Sequence, residues 1–301
     1  MALLQGVYDA GIRHFDSAEI YKTGNVMKDS DEDTYNETVL GKFFAKVPRD
    51  SFTVATKYMP FKYEGASCEY AAVKASLVAS LKRFNLDYVD IYYCHRVPSK
   101  EAGVAFATAC KQLMEEGLIK SVGLSEVSGS WLRAAHAACP IATVQQEWSL
   151  LTRSAEPELV PTCVELGVAI VAYSPLARNL LAVKNEEPPT DWRASLPRYS
   201  PENLAANRAL YDKVNALAEA KGCTSAALSL SWLFHKATAL GVSVMPIPGS
   251  TKLPHVVENL AAVDVKLEEA DMQVLEALAE QVAGERGDKG YLSVGMEAQS
   301  S

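Results

Sequence analysis

The chain has 301 residues, 49% hydrophobic and 22% charged, a composition typical of a globular protein. Its formal net charge of −8 argues against a phosphate backbone as the main ligand, so we expect no nucleic-acid partner. No apolar run approaches the roughly 20 residues of a membrane span, and the N-terminus lacks the apolar region of a secretory signal. We therefore expect no membrane association and a cytoplasmic location; import into an organelle followed by loss of a transit peptide stays open.

Short apolar runs alternate along the chain with amphipathic stretches, a pattern typical of β/α units and a parallel sheet. The runs are continuously hydrophobic, as strands buried on both faces are. Seven strands are predicted, at residues 12–15, 52–55, 89–93, 121–124, 142–144, 168–172 and 242–247. Helical patterns are found at residues 70–84, 104–116, 201–221, 225–236 and 268–282.

This alternation predicts an α/β fold, a (β/α)8 TIM barrel. Such a barrel has eight strands, whereas the pattern supplies seven, and the chain opens with a helical stretch that ends at Gly11. We therefore expect the first barrel strand to be missing from this chain. One barrel domain is predicted over residues 1–280, followed by a polar, partly disordered tail over residues 281–301.

The six cysteines form no CxxC pair, which favours reduced thiols in an intracellular protein. Cys94 and His95 are adjacent on a predicted strand and therefore point to opposite faces. No further cluster of ligands accompanies them, so we predict no metal site.

Two segments exceed ordinary loop lengths, at residues 22–36 and 178–200. Both follow the C-terminal ends of predicted strands, and the loops at that end of a barrel usually shape its site. Solvated acidic loops without a role are the alternative.

Polar side chains stand at or just after the ends of the predicted strands. Because barrel strands deliver their C-terminal ends to one mouth, residues distant in sequence should lie close together there. A single such residue is usually turn chemistry, but the set is harder to explain in that way. Its members are Asp16 with Tyr21, Lys57, His95, Ser125, Gln145, Tyr173 and Ser174.

These residue types predict a proton-transfer site. A buried lysine needs an anion, which Asp16 can supply to Lys57. A tyrosine hydroxyl releases its proton reluctantly at neutral pH, and a neighbouring ammonium favours the phenolate. Tyr21 is therefore predicted to be the general acid for an oxygen that gains negative charge, as in carbonyl reduction, and His95 can hydrogen-bond that oxygen or the phenol. No Ser-His-Asp elbow, P-loop or Gly-rich dinucleotide fingerprint competes with this interpretation.

A second site is predicted after the last strand, in "MPIPGSTKLPHVVENL". Gly249 and Ser250 lead into a helix, and Lys252 and His255 stand close to its start. Backbone amides at a helix start, beside cationic side chains, favour an anion site. A plain Ser/Thr N-cap is the alternative.

Taken together, these motifs resemble the aldo-keto reductase family over nearly the whole chain. "DAGIRHFDSAEIY" is similar to the family's Gly-x-x-x-x-Asp signature, "VATKY" to its lysine strand and "DIYYCHRV" to its histidine strand. "IPGSTKLPHVVENL" is similar to the family's phosphate motif. "GLSE", "VQQEWSLLTR" and "VAYSPLARNLL" fill the intervening positions in the right order.

The resemblance implies an NADPH-dependent carbonyl reductase that acts on an aldehyde or ketone. It implies a catalytic tetrad of Asp16, Tyr21, Lys57 and His95, with Tyr21 as the proton donor. The residues implied at the cofactor are Ser125 and Gln145 at the carboxamide, Tyr173 against the nicotinamide, Ser174, Leu176 and Arg178 at the pyrophosphate, and Ser250, Lys252, Glu258 and Asn259 at the 2′-phosphate and adenine, with Gly249 and His255 in the predicted anion site.

The chain departs from the family pattern at two cofactor positions. Glu126 follows Ser125 where many relatives have asparagine, which leaves the carboxamide contact at 126 unassigned. His255 stands where many relatives have arginine, so the preference for NADPH over NADH rests on Lys252. Two other functions stay open: a cofactor-binding regulatory subunit similar to the potassium-channel β-subunits, and an inactive truncated form. The physiological substrate and the oligomeric state cannot be read from the sequence.

Overall fold

The structure, a computed structural model, describes residues 1–24, 34–184 and 187–299. The chain divides into two compact units, which comprise residues 1–145 with 166–168 and residues 146–165 with 169–301. Of the two long segments predicted to shape a site, residues 25–33 and 185–186 lie outside the described residues. The single barrel domain over residues 1–280 stays a prediction.

The first unit holds five strands, β1 to β5, each paired in parallel with the next in chain order. Their bounds are β1 His14–Asp16, β2 Thr53–Tyr58, β3 Val89–Cys94, β4 Ile119–Ser125 and β5 Ile141–Glu147, the last two residues of which belong to the second unit. The helices of this unit are α1 Ala2–Asp9, α2 Asn36–Phe44, α3 Tyr70–Phe84, α4 Lys100–Glu115 and α5 Gly129–Ala138. As expected, no strand precedes α1 among the described residues.

The strands form where continuous apolar runs were found, because parallel strands bury both faces. In β3, for example, Val89, Tyr92 and Cys94 are all fully buried. Helix boundaries were predicted less accurately. Helix α4 begins at residue 100, four residues before the predicted start, because the Ser99 hydroxyl accepts a hydrogen bond from the Ala102 amide and caps the helix.

An aromatic cluster anchors α2 in the first unit. Phe44 of α2 stacks on Phe52 with 4.2 Å between ring centroids and an interplanar angle of 12°. Phe15 of β1 contacts Phe43 and Phe44 at 5.7 and 5.4 Å. Burial of such large rings contributes the main favourable free energy of packing at this site, and it holds β1 next to the helix that follows it.

Gly41 allows α2 to approach the C-terminal end of α3. A Cβ atom at this position would lie 2.6 Å from the backbone carbonyl oxygens of both Arg83 and Phe84. We expect Gly41→Ala to lower the free energy of unfolding by about 1–3 kcal/mol, because the helices must move apart and the backbone cannot yield as a flexible side chain would. Urea denaturation would measure the loss. Gly249→Ala is the matched control, since a Cβ there meets nothing within 4 Å, and equal stability of the two variants would contradict the expectation.

In the second unit, β6 Ala169–Tyr173 pairs in parallel with β7 Val244–Pro246. The helices of this unit are α6 Leu159–Leu166, the last residue of which belongs to the first unit, α7 Pro201–Ala220, α8 Ser225–Leu240, α9 Leu253–Leu260, α10 Glu269–Ala279 and α11 Lys289–Leu292. The first nine residues of α8 are all buried, so the hydroxyls of Ser229 and Ser231 donate to backbone carbonyls. Ser229 donates to Ser225 and Ser231 to Val265, each at 2.7 Å.

Seven strands therefore alternate with helices along the described chain, which confirms the predicted α/β class. All six cysteines are free, and five of them are buried. Among residues 1–24, 34–184 and 187–299, no helix is both long and apolar enough to cross a bilayer.

Candidate active site

Three of the predicted site residues lie at the carboxyl ends of neighbouring strands in the first unit. Asp16 ends β1, Lys57 is the last residue but one of β2, and His95 directly follows β3. The parallel pairing sets Asp16 beside Ala55 and Lys57 beside Tyr93. The order of the strands thus brings together residues that are about 40 positions apart in sequence.

Lys57 is fully buried and forms an ion pair with Asp16. Its ammonium also donates to the carbonyl oxygen of Ser17 at 2.7 Å. The second carboxylate oxygen of Asp16 accepts from the Gln145 amide at 2.8 Å. Burial alone would lower the pKa of Lys57, but the Asp16 carboxylate and the Tyr21 phenol outweigh it, so the pKa lies above its usual value. Lys57 is therefore a buried cation with a fixed counter-ion.

Tyr21 lies against this ion pair. The Lys57 ammonium is 4.8 Å from the centroid of the Tyr21 ring, a cation–π contact. The His95 imidazole meets the same ring edge-on, with 5.7 Å between centroids and an interplanar angle of 86°. Tyr21 is 40% exposed, so a small molecule can reach a phenol whose inner side touches a buried cation.

The turn that carries Tyr21 is held by Glu19, which the sequence interpretation missed. One oxygen of this buried carboxylate accepts from the Met59 amide at 2.6 Å. The other accepts from the hydroxyls of Tyr63 and Ser76, each at 2.9 Å. The backbone amide of Glu19 also donates to Lys57 at 3.2 Å. The carboxylate between Asp16 and Tyr21 thus fixes the turn to the end of β2 and to α3.

His95 is neutral in this environment. Its backbone amide donates to the Tyr58 carbonyl at 2.7 Å, and among the described residues its buried Nδ1 has no hydrogen-bond partner. Burial of the imidazole, and after it the charges of Lys57 and Arg96, hold the pKa of His95 well below its usual 6.5. Because Nδ1 is closed off from solvent, the ring nitrogen that a ligand oxygen could meet is Nε2.

The depressed pKa of His95 predicts a loss of stability in acid. Below pH 6.5 this histidine binds a proton in the unfolded chain but not in the folded chain. The free energy of unfolding therefore decreases as the pH falls. This single group can lower the free energy of unfolding by at most about 1.4 kcal/mol for each pH unit below 6.5. We expect the free energy of unfolding, measured by urea denaturation, to fall less steeply below pH 6.5 in His95→Gln than in the wild type, by up to about 1.4 kcal/mol per pH unit. His255→Gln, at an exposed position, is the control. An unchanged pH slope in His95→Gln would contradict the expectation.

The residues predicted to hold a carboxamide are buried at the ends of β4 and β5. Ser125 and Gln145 pair in register, and both side chains are almost inaccessible. Gln145 donates one amide hydrogen bond to Asp16, so it also belongs to the Lys57 network. Glu126 is buried in a left-handed backbone conformation with φ of 55°. Roles at a carboxamide stay predictions for these residues.

In the second unit, Tyr173 and Arg178 are connected through Arg286. The Tyr173 hydroxyl lies 2.7 Å from that of Tyr291 and accepts from Arg286 at 3.0 Å. Arg178 donates to the Glu147 carboxylate at 2.9 Å and to the backbone carbonyl of Arg286 at 2.5 Å. Glu147 and Arg286 were both missed. In sequence, Glu147 stands two positions after Gln145, a strand period that could have marked it, whereas Arg286 carries no comparable signal.

The segment after β6 is held in an unusual backbone conformation. Ser174, Ala177, Arg178 and Asn179 all have positive φ, at 47°, 49°, 56° and 90°. Residues in such conformations cost about 1–3 kcal/mol each and persist only where their surroundings impose them. Leu176 packs on the cluster formed by Ala227, Leu230 and Ala262 and so anchors the segment.

The predicted anion motif lies between β7 and α9. Lys252 is the N-cap residue of α9 and makes no side-chain cap bond, so the Ser/Thr N-cap alternative is wrong. The Ser250 hydroxyl instead accepts from the Lys252 amide at 3.1 Å. Lys252, His255 and Glu258 are exposed, as is Gly249, whereas Asn259 is half-buried. No described hydrogen bond joins these residues to Tyr173 or Arg178.

Comparison with known proteins identifies the class. The alternation of parallel strands with helices along the described residues is that of a (β/α) barrel protein. The chain belongs to the aldo/keto reductase family, whose model matches residues 1–280. This match confirms the (β/α)8 fold class, of which the described residues carry seven strands.

Solved structures agree with this assignment. An aldo-keto reductase from Klebsiella pneumoniae in complex with NADPH is 25% identical with a TM-score of 0.70, over 95% of this chain and 87% of that chain. A thermostable aldo-keto reductase in complex with the inhibitor epalrestat is 26% identical with a TM-score of 0.71, over 92% and 86%. The glycerol dehydrogenase of Gluconobacter oxydans, 20% identical with a TM-score of 0.76 over 95% and 86%, shows the fold alone. Family and neighbours together support carbonyl reduction in general.

Proposed function

We propose that this chain reduces an aldehyde or ketone to an alcohol with NADPH, and that Tyr21 is the general acid. The observation that carries this proposal is the contact of a half-exposed phenol with a fully buried lysine. An ammonium without solvent is a costly arrangement, which Asp16 stabilises. It is useful where a phenol must give up a proton at neutral pH.

Each of the four predicted catalytic residues, all of which lie in the first unit, then has a role in the reaction. When bound, NADPH supplies the hydride that reduces the carbonyl carbon. Tyr21 donates its proton to the carbonyl oxygen as negative charge develops there. Lys57, kept charged by Asp16, stabilises the phenolate that remains. His95, whose imidazole lies edge-on to the Tyr21 ring, hydrogen-bonds the same oxygen and helps to orient the carbonyl group.

The second unit contains groups that fit a dinucleotide. The side chains of Arg178, Arg198 and Arg286 are all buried. The buried carboxylate of Glu147 forms ion pairs with Arg178 and Arg286. Burial lowers the pKa of Arg198, and the charges of Arg178 and Arg286 lower it further, against the opposing effects of Glu147 and Glu285. A local excess of positive charge suits the two negative charges of a pyrophosphate.

The remaining contacts of the cofactor are proposed from the family motifs. Two of the five N–H groups of Arg178 are used in its bonds to Glu147 and Arg286, which leaves donors for a phosphate oxygen. Lys252 at the start of α9 is proposed to bind the 2′-phosphate, which favours NADPH over NADH. The other proposed contacts are Ser125, Gln145, Tyr173, Ser174, Leu176, Gly249, Ser250, His255, Glu258 and Asn259.

A fluorescence titration followed by turnover tests this proposal. NADPH is added to the purified chain until its emission change saturates, and then a reactive aromatic aldehyde is added. We expect saturable binding and aldehyde-dependent loss of absorbance at about 340 nm. Binding without turnover of any aldehyde in a broad panel would favour the regulatory alternative. No binding would contradict the proposed function.

A further inference from the structure

Arg286 belongs to none of the family motifs, yet its side chain is only 3% exposed. It lies in the polar segment that was predicted to be a tail. A buried guanidinium is retained where it is paired and hydrogen-bonded, because an unpaired one would be too costly. The role of the buried Arg286 side chain can therefore be inferred from the groups that it contacts.

The side chain of Arg286 holds Tyr173. Its Nη1 atom donates to the Tyr173 hydroxyl at 3.0 Å and to Glu147 at 3.1 Å, and it lies 3.4 Å from the Tyr291 hydroxyl. The hydroxyls of Tyr173 and Tyr291 are themselves 2.7 Å apart. The hydroxyl end of the Tyr173 ring is therefore held by the Arg286 guanidinium and by the Tyr291 hydroxyl.

The backbone of Arg286 holds Arg178. Its carbonyl oxygen accepts from Nη1 of Arg178 at 2.5 Å, while Glu147 accepts from Nη2 at 2.9 Å. The backbone of Arg178 is restrained as well, since its carbonyl accepts from the Tyr199 hydroxyl at 2.8 Å. Glu147 joins the two guanidinium groups, so Tyr173, Arg178 and Arg286 form one connected network.

We propose that Arg286 is a positioning residue for the nicotinamide and pyrophosphate half of the dinucleotide, acting through Tyr173 and Arg178. This inference rests on the proposed function, which gives those two residues to the cofactor. The network orients the Tyr173 ring and turns the unused N–H groups of Arg178 in a fixed direction before the cofactor arrives. Pre-organisation of this kind raises affinity because less conformational freedom is lost on binding.

Substitution by lysine separates the shape of this residue from its charge. Lysine keeps the positive charge beside Glu147, but its compact ammonium cannot reproduce the planar fork of arginine. Arg286→Lys should therefore preserve the charge of the cluster while it loosens Tyr173 and Arg178. Arg153→Lys is the matched control, because Arg153 is also ion-paired in the second unit but contacts Glu156 and Glu276 instead.

The test compares two ligands on three proteins, the wild type, Arg286→Lys and Arg153→Lys. The dissociation constants of NADPH and of adenosine 2′-phosphate, which lacks the nicotinamide and both phosphates of the pyrophosphate, are measured by titration, with thermal unfolding alongside. For Arg286→Lys we expect a loss of NADPH affinity of about tenfold to a hundredfold. Its affinity for adenosine 2′-phosphate should stay within about twofold of the wild type. Arg153→Lys should bind both ligands as the wild type does.

A second variant keeps the proposal testable if Arg286→Lys folds poorly. Tyr291→Phe removes the hydroxyl next to Tyr173 and leaves Arg286 in place, so the loss of NADPH affinity should be smaller, about threefold to tenfold. Unchanged NADPH affinity in both variants, or a parallel loss of both ligands, would overturn the positioning role while leaving the proposed function intact. A wild type that binds no NADPH would overturn the proposed function and this inference with it.

Discussion

Replacing Tyr21 by phenylalanine should lower the turnover number for carbonyl reduction by about 10²- to 10⁴-fold. The substitution removes only the hydroxyl that is proposed to donate the proton. The ring keeps its edge-on contact with His95, and because Tyr21 is 40% exposed the fold should lose little stability. The affinity for NADPH should stay within about twofold, since no proposed cofactor contact is changed. Steady-state kinetics and fluorescence titration measure the two quantities.

Tyr70→Phe is the matched control for this loss. It also removes a phenol hydroxyl from the first unit, but one that bonds to Glu116 and Lys74, away from Lys57. We expect its turnover to equal that of the wild type. Full turnover in Tyr21→Phe would show that Tyr21 is not the general acid. A Tyr70→Phe protein as slow as Tyr21→Phe would show that the loss is not specific to Tyr21.

Lys57→Met should abolish measurable turnover and also destabilise the fold, by about 3–5 kcal/mol. The reason is that the substitution leaves the Asp16 carboxylate in a buried site without its counter-ion. Because the pKa of Lys57 is raised above its usual 10.5, the stabilisation is fully present at neutral pH and is lost only as the pH rises through that raised value. Urea denaturation at neutral pH therefore measures the whole effect.

A double variant separates the two consequences of losing Lys57. Lys57→Met with Asp16→Asn removes the uncompensated charge, so part of the lost stability should return while turnover stays absent. Lys57→Arg keeps the charge and serves where Lys57→Met does not fold. A single Lys57→Met variant as stable as the wild type would show that the ion pair contributes little. Turnover in the double variant would show that the lysine is not needed to stabilise the phenolate.

The parts of this molecule that could be predicted from sequence are those with a local signal. Continuous apolar runs predicted seven strands, because a parallel strand must be hydrophobic along its length. The strand ends predicted where polar side chains would stand, and the need of a buried lysine for an anion predicted the pairing of Lys57 with Asp16, which the structure contains.

The supporting residues could not be predicted, because their partners are distant in sequence. Glu19 bonds to Met59, 40 positions away, and Arg286 to Glu147, 139 positions away. Neither pairing follows from the period of a strand or helix. Arg286 also lies in a polar, glycine-containing stretch, where composition favours a solvated tail, and only its tertiary contacts reveal that it is buried.

Transfer of an isotope tests the central claim most directly. The chain is incubated with NADPH that carries deuterium at both hydrogen positions of the nicotinamide C4 and with a reactive aromatic aldehyde, and the alcohol is analysed by mass spectrometry. The account predicts an alcohol with one deuterium on the former carbonyl carbon, formed by the wild type and by Tyr70→Phe, and lowered by about 10²-fold or more in Tyr21→Phe. An alcohol without deuterium, or no alcohol from any aldehyde while NADPH binds, would contradict it.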